Sequence, residues 1–176
     1  MKMLVGATAA LALTALAVPA FAQSTASASG SGTATIIRGL SVTNNANLAF
    51  GTIVRPSTGS NSVVVSTAGA RSITGGGDAV ALGSTSSSAA QFTVAGEGGQ
   101  SISVGVPASF SIVNGANSLL VTTSNDMVGS ASAQLLSGSL GGSGSLVVNV
   151  GGSFPVATST ATGTYTGSFT VSSNYN

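Results

Sequence analysis

After residue 22, no stretch of this chain sustains a helical period. Short clusters of Val, Ile, Leu and Phe recur instead, cut off by Gly, Ser, Asn or Pro. They are "TATIIRGLSV" (33–42), "NLAF" (47–50), "SVVVS" (62–66), "AVAL" (79–82), "AQFTVA" (90–95), "SISVGV" (101–106), "SFSIV" (109–113), "SLLVTT" (118–123), "SLVVNV" (145–150) and "TYTGSFTV" (164–171). Clusters of this length, rich in β-branched residues and bounded by turn formers, predict strands. Many short strands with turns between them predict an antiparallel sandwich or a small barrel. The one weak helical period is "SAQLLSGSL" (132–140), and "LSGSLGGSGS" (136–145) reads as a flexible loop. "SFSIVNGANSLLV" places Asn114-Gly115 between two apolar runs, which predicts a hairpin pairing 109–113 with 118–123, with Ala116 and Asn117 available to lengthen the loop.

The first 22 residues read as a secretion signal. Lys2 gives a positive start, Leu4 to Val18 form an uncharged apolar run, and Ala20 and Ala22 flank Phe21 as small residues, so cleavage is expected before Gln23. The run falls short of the roughly 20 residues that cross a bilayer, which disfavours a membrane anchor, and no later segment reaches that length. The mature chain is expected to comprise an N-terminal extension (23–35) and one β domain (36–176).

Composition removes most chemistry. The chain has no His and no Cys, so Ser-His-Asp and Cys-His catalysis, thiol nucleophiles and the usual zinc sites have no residues to use. Lys2 leaves with the signal, and Arg38, Arg55 and Arg71 form no basic patch suited to phosphates, so neither nucleic acid nor Schiff-base chemistry is expected. Asp78, Glu97 and Asp126 remain as candidate acids, but "GGGDAV", "AGEGGQ" and "SNDMVG" are contexts of solvated turn carboxylates. A single "GGGD" without periodic Asp residues is a weak calcium signal, and no Gly-rich stretch precedes Lys-Ser/Thr. No enzyme activity, cofactor or metal is expected. Phe50, Phe92, Phe110, Phe154, Tyr165, Phe169 and Tyr175 are scattered along the chain, which predicts core packing in preference to a stacking platform.

Both ends alternate with period two. In "STASASGSGTATII" (24–37) the even positions are small or apolar: Ala26, Ala28, Gly30, Gly32, Ala34 and Ile36. In "GTYTGSFTVSSNYN" the odd positions carry Tyr165, Phe169, Val171 and Tyr175, which predicts a long half-buried strand reaching Tyr175. The second stretch, with "TATIIRGLSVTNNANLAFGTIV" (33–54) and "SAAQFTVAGEGGQSISVGVP" (88–107), resembles the small secreted β-proteins of Gram-negative bacteria called domain of unknown function 4402, a name that implies no activity.

The same ends resemble, more distantly, pilins of the archaic spore-coat-U type of chaperone-usher assembly. Gly163, Tyr165, Phe169, Val171 and Tyr175 match their closing strand, and Ala34, Ile36, Leu48, Phe50 and Gly51 their opening segment. The resemblance implies an all-β, immunoglobulin-like antiparallel β-sandwich that is incomplete and is completed by a donated strand. It implies as partners a periplasmic chaperone, an outer-membrane usher and further copies of the chain. Pilins of that type commonly carry a disulfide near the first strand; its typical contribution, about 2–4 kcal/mol, matches the burial of one or two large side chains.

On that basis Ala26, Ala28, Gly30, Gly32, Ala34 and Ile36 are the candidate donor face, with Ile36 its one large anchor. Tyr165, Phe169, Val171 and Tyr175 are the candidate acceptor groove. The expected function is a structural subunit of a surface fibre, exported to the periplasm and then to the cell surface. The alternative is a monomeric secreted sandwich that binds a glycan or a surface.

Overall fold

Alternating apolar and polar residues become strands here wherever a neighbouring strand buries the apolar side. The computed structural model describes residues 25–176; the expected signal, with Gln23 and Ser24, lies outside the described residues. The chain divides into Met1–Thr35 and Ile36–Asn176. In the first unit, residues 25–35 form no strand or helix and are all exposed.

The second unit is all-β, and the described residues contain no helix. Its strands are β1 (Ser41–Ala46), β2 (Ile53–Val54), β3 (Ser60–Val65), β4 (Arg71–Gly75), β5 (Val80–Ala81), β6 (Ala90–Glu97), β7 (Ser101–Gly105), β8 (Ser109–Asn114), β9 (Asn117–Asn125), β10 (Gln134–Leu135), β11 (Ser143–Ala157) and β12 (Ser172–Tyr175). The main sheet runs β1-β6-β11-β3-β4, with β9 on the other edge of β11 and β8 paired to β9. A three-stranded sheet, β10-β7-β12, faces part of it, and β2 pairs β5. Every pairing is antiparallel. The result is an antiparallel β-sandwich that is incomplete at one end.

Strand β11 organises the molecule. Ser143 to Val150 pair β6, Gly152 to Ala157 pair β3 on the same edge, and Val150 to Ser153 pair β9 on the opposite edge. Three strands therefore crowd the Gly151-Gly152 step. A Cβ on Gly151 would strike the Val65 carbonyl, and one on Gly152 would sit 2.9 Å from Val121 Cγ1, so glycine is required at both. "SLVVNV" predicts a strand ending at Val150; β11 continues because those glycines permit the crossing.

The ladder between β11 and β9 stops at Ser153 and Thr122. The Asn149 carbonyl accepts from Asp126 N–H, so odd-numbered residues of β11 turn their backbone groups towards β9. Pro155 falls on that edge and has no N–H to continue the ladder. Beyond it the β8–β9 hairpin peels away from β11.

Two cores result. Phe92, Val94, Ile102, Val104, Leu136, Val148, Val150 and Val171 fill the closed half between the two sheets. Val63, Val121, Phe154 and Val156 form a smaller core at the other end, ringed by half-buried Phe50, Ile53, Phe110, Ile112 and Leu119.

Several expectations are corrected. The 33–42 cluster begins its strand only at Ser41, and 47–50 contributes a lone bridge, Ala49 to Ser88. The hairpin forms, but Asn114 pairs Asn117, so the turn is Gly115-Ala116, with Gly115 at φ +59°. Within the weakly helical 132–140 stretch, Gln134–Leu135 pairs β7 and Leu136 is fully buried. The loop read as flexible is pinned, because Glu97 accepts the Gly141 N–H.

Candidate acceptor groove

Where β9 leaves β11, a cavity of about 800 Å³ opens. Its floor is Phe154 and Val156 of β11; Phe110 and Ile112 of β8 and Leu119 of β9 form one wall, and Phe50 and Ile53 another. A strap formed by residues 160–169, between β11 and β12, supplies the last wall through Tyr165 and Phe169. Phe50 meets Phe154 edge-on, with ring centroids 4.9 Å apart at 84°. Phe169 lies 4.8 Å from Phe110 and 5.8 Å from Phe92, so it joins the cavity to the closed core. Such edge and tilted arrangements add attraction beyond the area they bury.

The four residues predicted to form one acceptor wall divide between the two halves. Tyr165 and Phe169 line the cavity. Val171 is buried in the closed core, against which Tyr175 also packs. The predicted long strand over 164–171 is replaced by the strap, with an isolated bridge from Thr166 to Val113, before β12 begins at Ser172. The odd-numbered parity survives: Tyr165, Phe169, Val171, Ser173 and Tyr175 are each less exposed than their even neighbours. The strand breaks up because the segment must pass from the edge of β8 to the edge of β7.

Among the candidate donor residues, Ala26, Ala28, Gly30, Gly32 and Ala34 are exposed. Ile36, the first residue of the sandwich unit, is 94% exposed. Two residues on, the chain is fastened: Arg38 N–H donates to Glu97 Oε2 at 3.2 Å, and the Arg38 carbonyl accepts from the Tyr175 hydroxyl at 2.8 Å. That hydroxyl also accepts the Glu97 N–H at 2.6 Å. Gly96 leaves room for it, since a Cβ there would collide with Tyr175 Oη and Leu40.

The three carboxylates each close a loop. Glu97 is not the solvated turn residue that its glycine neighbours predict; it is 3% exposed. The Gly141 N–H first, then the Arg38 N–H and the Arg38 charge 3.7 Å away, hold its carboxyl below the usual range. Asp78 takes the Ser57 hydroxyl and the N–H groups of Thr58 and Ser57, which bring it down to about 2. Asp126 accepts from Asn149 N–H and Nδ2 at 2.8 and 2.7 Å. Among the described residues, no three His, Cys, Asp or Glu side chains gather in a metal-binding cluster.

Sequence reasoning missed the gathering of Phe50, Phe110, Phe154 and Phe169 around one cavity. Their spacing carries no period, since they come from four separate segments. Pro155 beside Gly151-Gly152 is the local signal that a strand there switches partners.

Fold and cavity thus define an antiparallel sandwich that is closed at one end and open at the other. The family model described as Domain of unknown function (DUF4402) matches residues 40–175, and the chain belongs to that family. No curated protein and no solved structure matches the chain.

Proposed function

We propose that the protein is an exported structural subunit of a surface fibre, in which each copy lends residues 24–36 as a strand to the open half of the next. The observation that carries this reading is the cavity formed where Pro155 lets β9 part from β11, with aromatic and aliphatic side chains on its floor and two walls and a threonine-rich strap on the last. A supplied strand would bury aromatic and aliphatic walls there and pair open backbone groups. The alternating extension suits the role, and Ile36 is a large apolar side chain that its own domain leaves in water.

Polarity supports the same reading. Arg38 is fastened at Glu97, which pairs Ser143 at the first residue of β11, whereas Phe154 and Val156 floor the cavity near its last. Extended strand covers about 3.3 Å per residue, so the two places lie up to roughly 40 Å apart along β11. Donor root and acceptor at opposite ends make a head-to-tail contact, which propagates unless rotation closes it. A periplasmic chaperone covering the open half, and an outer-membrane usher, are the partners that this assembly route calls for.

Electron microscopy of the purified protein, with and without residues 24–35, tests the proposal. The intact protein is expected to form filaments, and ladders that resist mild SDS, while the shortened protein stays folded and monomeric. A shortened protein that assembles normally, or an intact one that remains monomeric, counts against it. The cavity's size also suits a small ligand, since such pockets span about 300–1,000 Å³. This favours, as a second reading, a monomeric binding module whose behaviour is indifferent to loss of residues 24–35.

A further inference from the structure

Strand β8 has two edges. Residues 110, 112 and 114 turn their backbone groups towards β9, as the bond from Thr123 N–H to the Ala108 carbonyl sets the phase. Ser109, Ser111 and Val113 face the other way, towards the strap. There the Val113 and Thr166 backbones exchange two hydrogen bonds, of 2.8 and 3.0 Å. Among the described residues, no hydrogen bond from the strap reaches Ser109 or Ser111, so most of that edge is unpaired, with the strap lying against it where Gly167 meets Ser111.

We propose that residues 160–169 are a displaceable strap that shields the outer edge of β8 and must leave it before a strand from a second copy can bind; this rests on the acceptor reading above. The strap's other fastenings lie at its start and its rim: the Thr160 N–H donates to the Ala157 carbonyl and Thr160 Oγ1 accepts the Ala157 N–H, Arg55 Nη1 donates to the Thr160 carbonyl at 3.2 Å, and Asn114 Nδ2 donates to the Thr162 carbonyl at 3.1 Å. Tyr165 bonds within the strap, to the Ala161 carbonyl. A segment with so few backbone bonds and half-buried aromatics opens at lower free energy than the strands around it. Its ends are anchored, because β11 and β12 both belong to the sandwich and Phe169 packs against the closed core, so the stretch ahead of Phe169 can swing out without unfolding the domain.

Gly167 fits this device. A Cβ there would strike the Ser111 carbonyl and lie 3.1 Å from Ile112 Cα, so only glycine lets the strap press against β8. An unpaired edge left bare invites indiscriminate pairing, and a cover made of the chain's own backbone prevents it. The strap thus makes the free subunit safe at the cost of slowing its assembly.

The test is a reversible staple. Val113→Cys with Thr166→Cys joins a directly paired couple whose side chains are both exposed, and the chain has no other cysteine. Filament growth of the reduced double variant should match that of the unsubstituted protein. Oxidation should slow it roughly tenfold or more, in proportion to the lost open population. Gly167→Ala should act in the opposite direction and speed growth. In the free protein, hydrogen exchange at the Val113 and Thr166 amides should run well ahead of Val94 and Val148. Growth at the same rate in oxidised and reduced protein overturns the strap while leaving the acceptor groove standing. Equal protection of the four amides also overturns it. If the unsubstituted protein does not assemble at all, the acceptor reading fails and the strap's role fails with it, whatever the redox state.

Discussion

The two ends of β11 are built from the same kinds of residue and reach different outcomes. Around Ser143 to Val150 a second sheet lies opposite, and Ile102, Leu136, Val148 and Val150 are fully buried. Around Phe154 to Ala157 no three-stranded sheet among the described residues faces the strand, and large side chains such as Phe110, Ile112 and Leu119 stay half-buried around a cavity. Apolar content alone therefore does not close a core. A strand must be present to cover it, and at the open end Pro155 removes the bond that would hold β9 there.

An identical substitution in each half separates the two ends most sharply. Ile102→Ala, in the closed core, is expected to cost about 2–5 kcal/mol. Ile112→Ala, at the cavity wall, should cost less than about half as much, since half-buried atoms lose less on removal. Urea unfolding of both variants decides it, and equal losses would mean that the open half is as well packed as the closed one.

The two tyrosines give a smaller effect. Tyr175→Phe strips a hydroxyl that joins Glu97 N–H to the Arg38 carbonyl, and an unsatisfied buried donor costs about 1–3 kcal/mol. Tyr165→Phe loses one bond inside the strap and should fall near or below about 1 kcal/mol. Thermal melts that rank them in reverse would place the anchoring network at the wrong end.

Acid gives the smallest and most local effect. Asp78, which ties Ser57 and Thr58 ahead of β3, has its pKa lowered from 3.8 to about 2 in the folded protein. Its stabilising contribution is thus complete above the ordinary value and is lost as pH falls through about 2. Asp78→Asn should abolish that part of the acid dependence between about pH 4 and 2, as monitored by amide chemical shifts at Ser57 and Thr58. Unchanged acid sensitivity in the variant would show that the loop is held by something else.

Much of the sandwich could be read from the sequence where its strands are short apolar clusters with clean turns; β6 and β7 of the closed half and the β8–β9 hairpin of the open half fall close to where "AQFTVA", "SISVGV" and "SFSIVNGANSLLV" predict them. Strand β4 escapes notice because Ile73 is alone among polar residues and gains its strand from pairing with β3. The extent of β11 escapes because glycine pairs usually end strands, whereas here they let one strand serve three neighbours. Glu97 looks solvated until distant Arg38 and Gly141 close over it. The groove was legible only in part: period two identified Tyr165 and Phe169, but the facing walls, from Leu119 back to Phe50, come from residues 46 to more than 100 positions away. Alternation shows which side chains share a face and is silent on which other segment covers them.

In the proposed fibre the open end of one copy receives the extension of another. The absence of native cysteine permits a direct measurement: mix protein carrying only Ile36→Cys with protein carrying only Leu119→Cys, oxidise, and weigh the products. A parallel mixture uses Leu135→Cys, an exposed position on β10 in the closed half, in place of Leu119→Cys. Strand donation predicts disulfide-linked heterodimers in the first mixture well in excess of the second. Equal yields from the two mixtures, or no heterodimer in either, would contradict it.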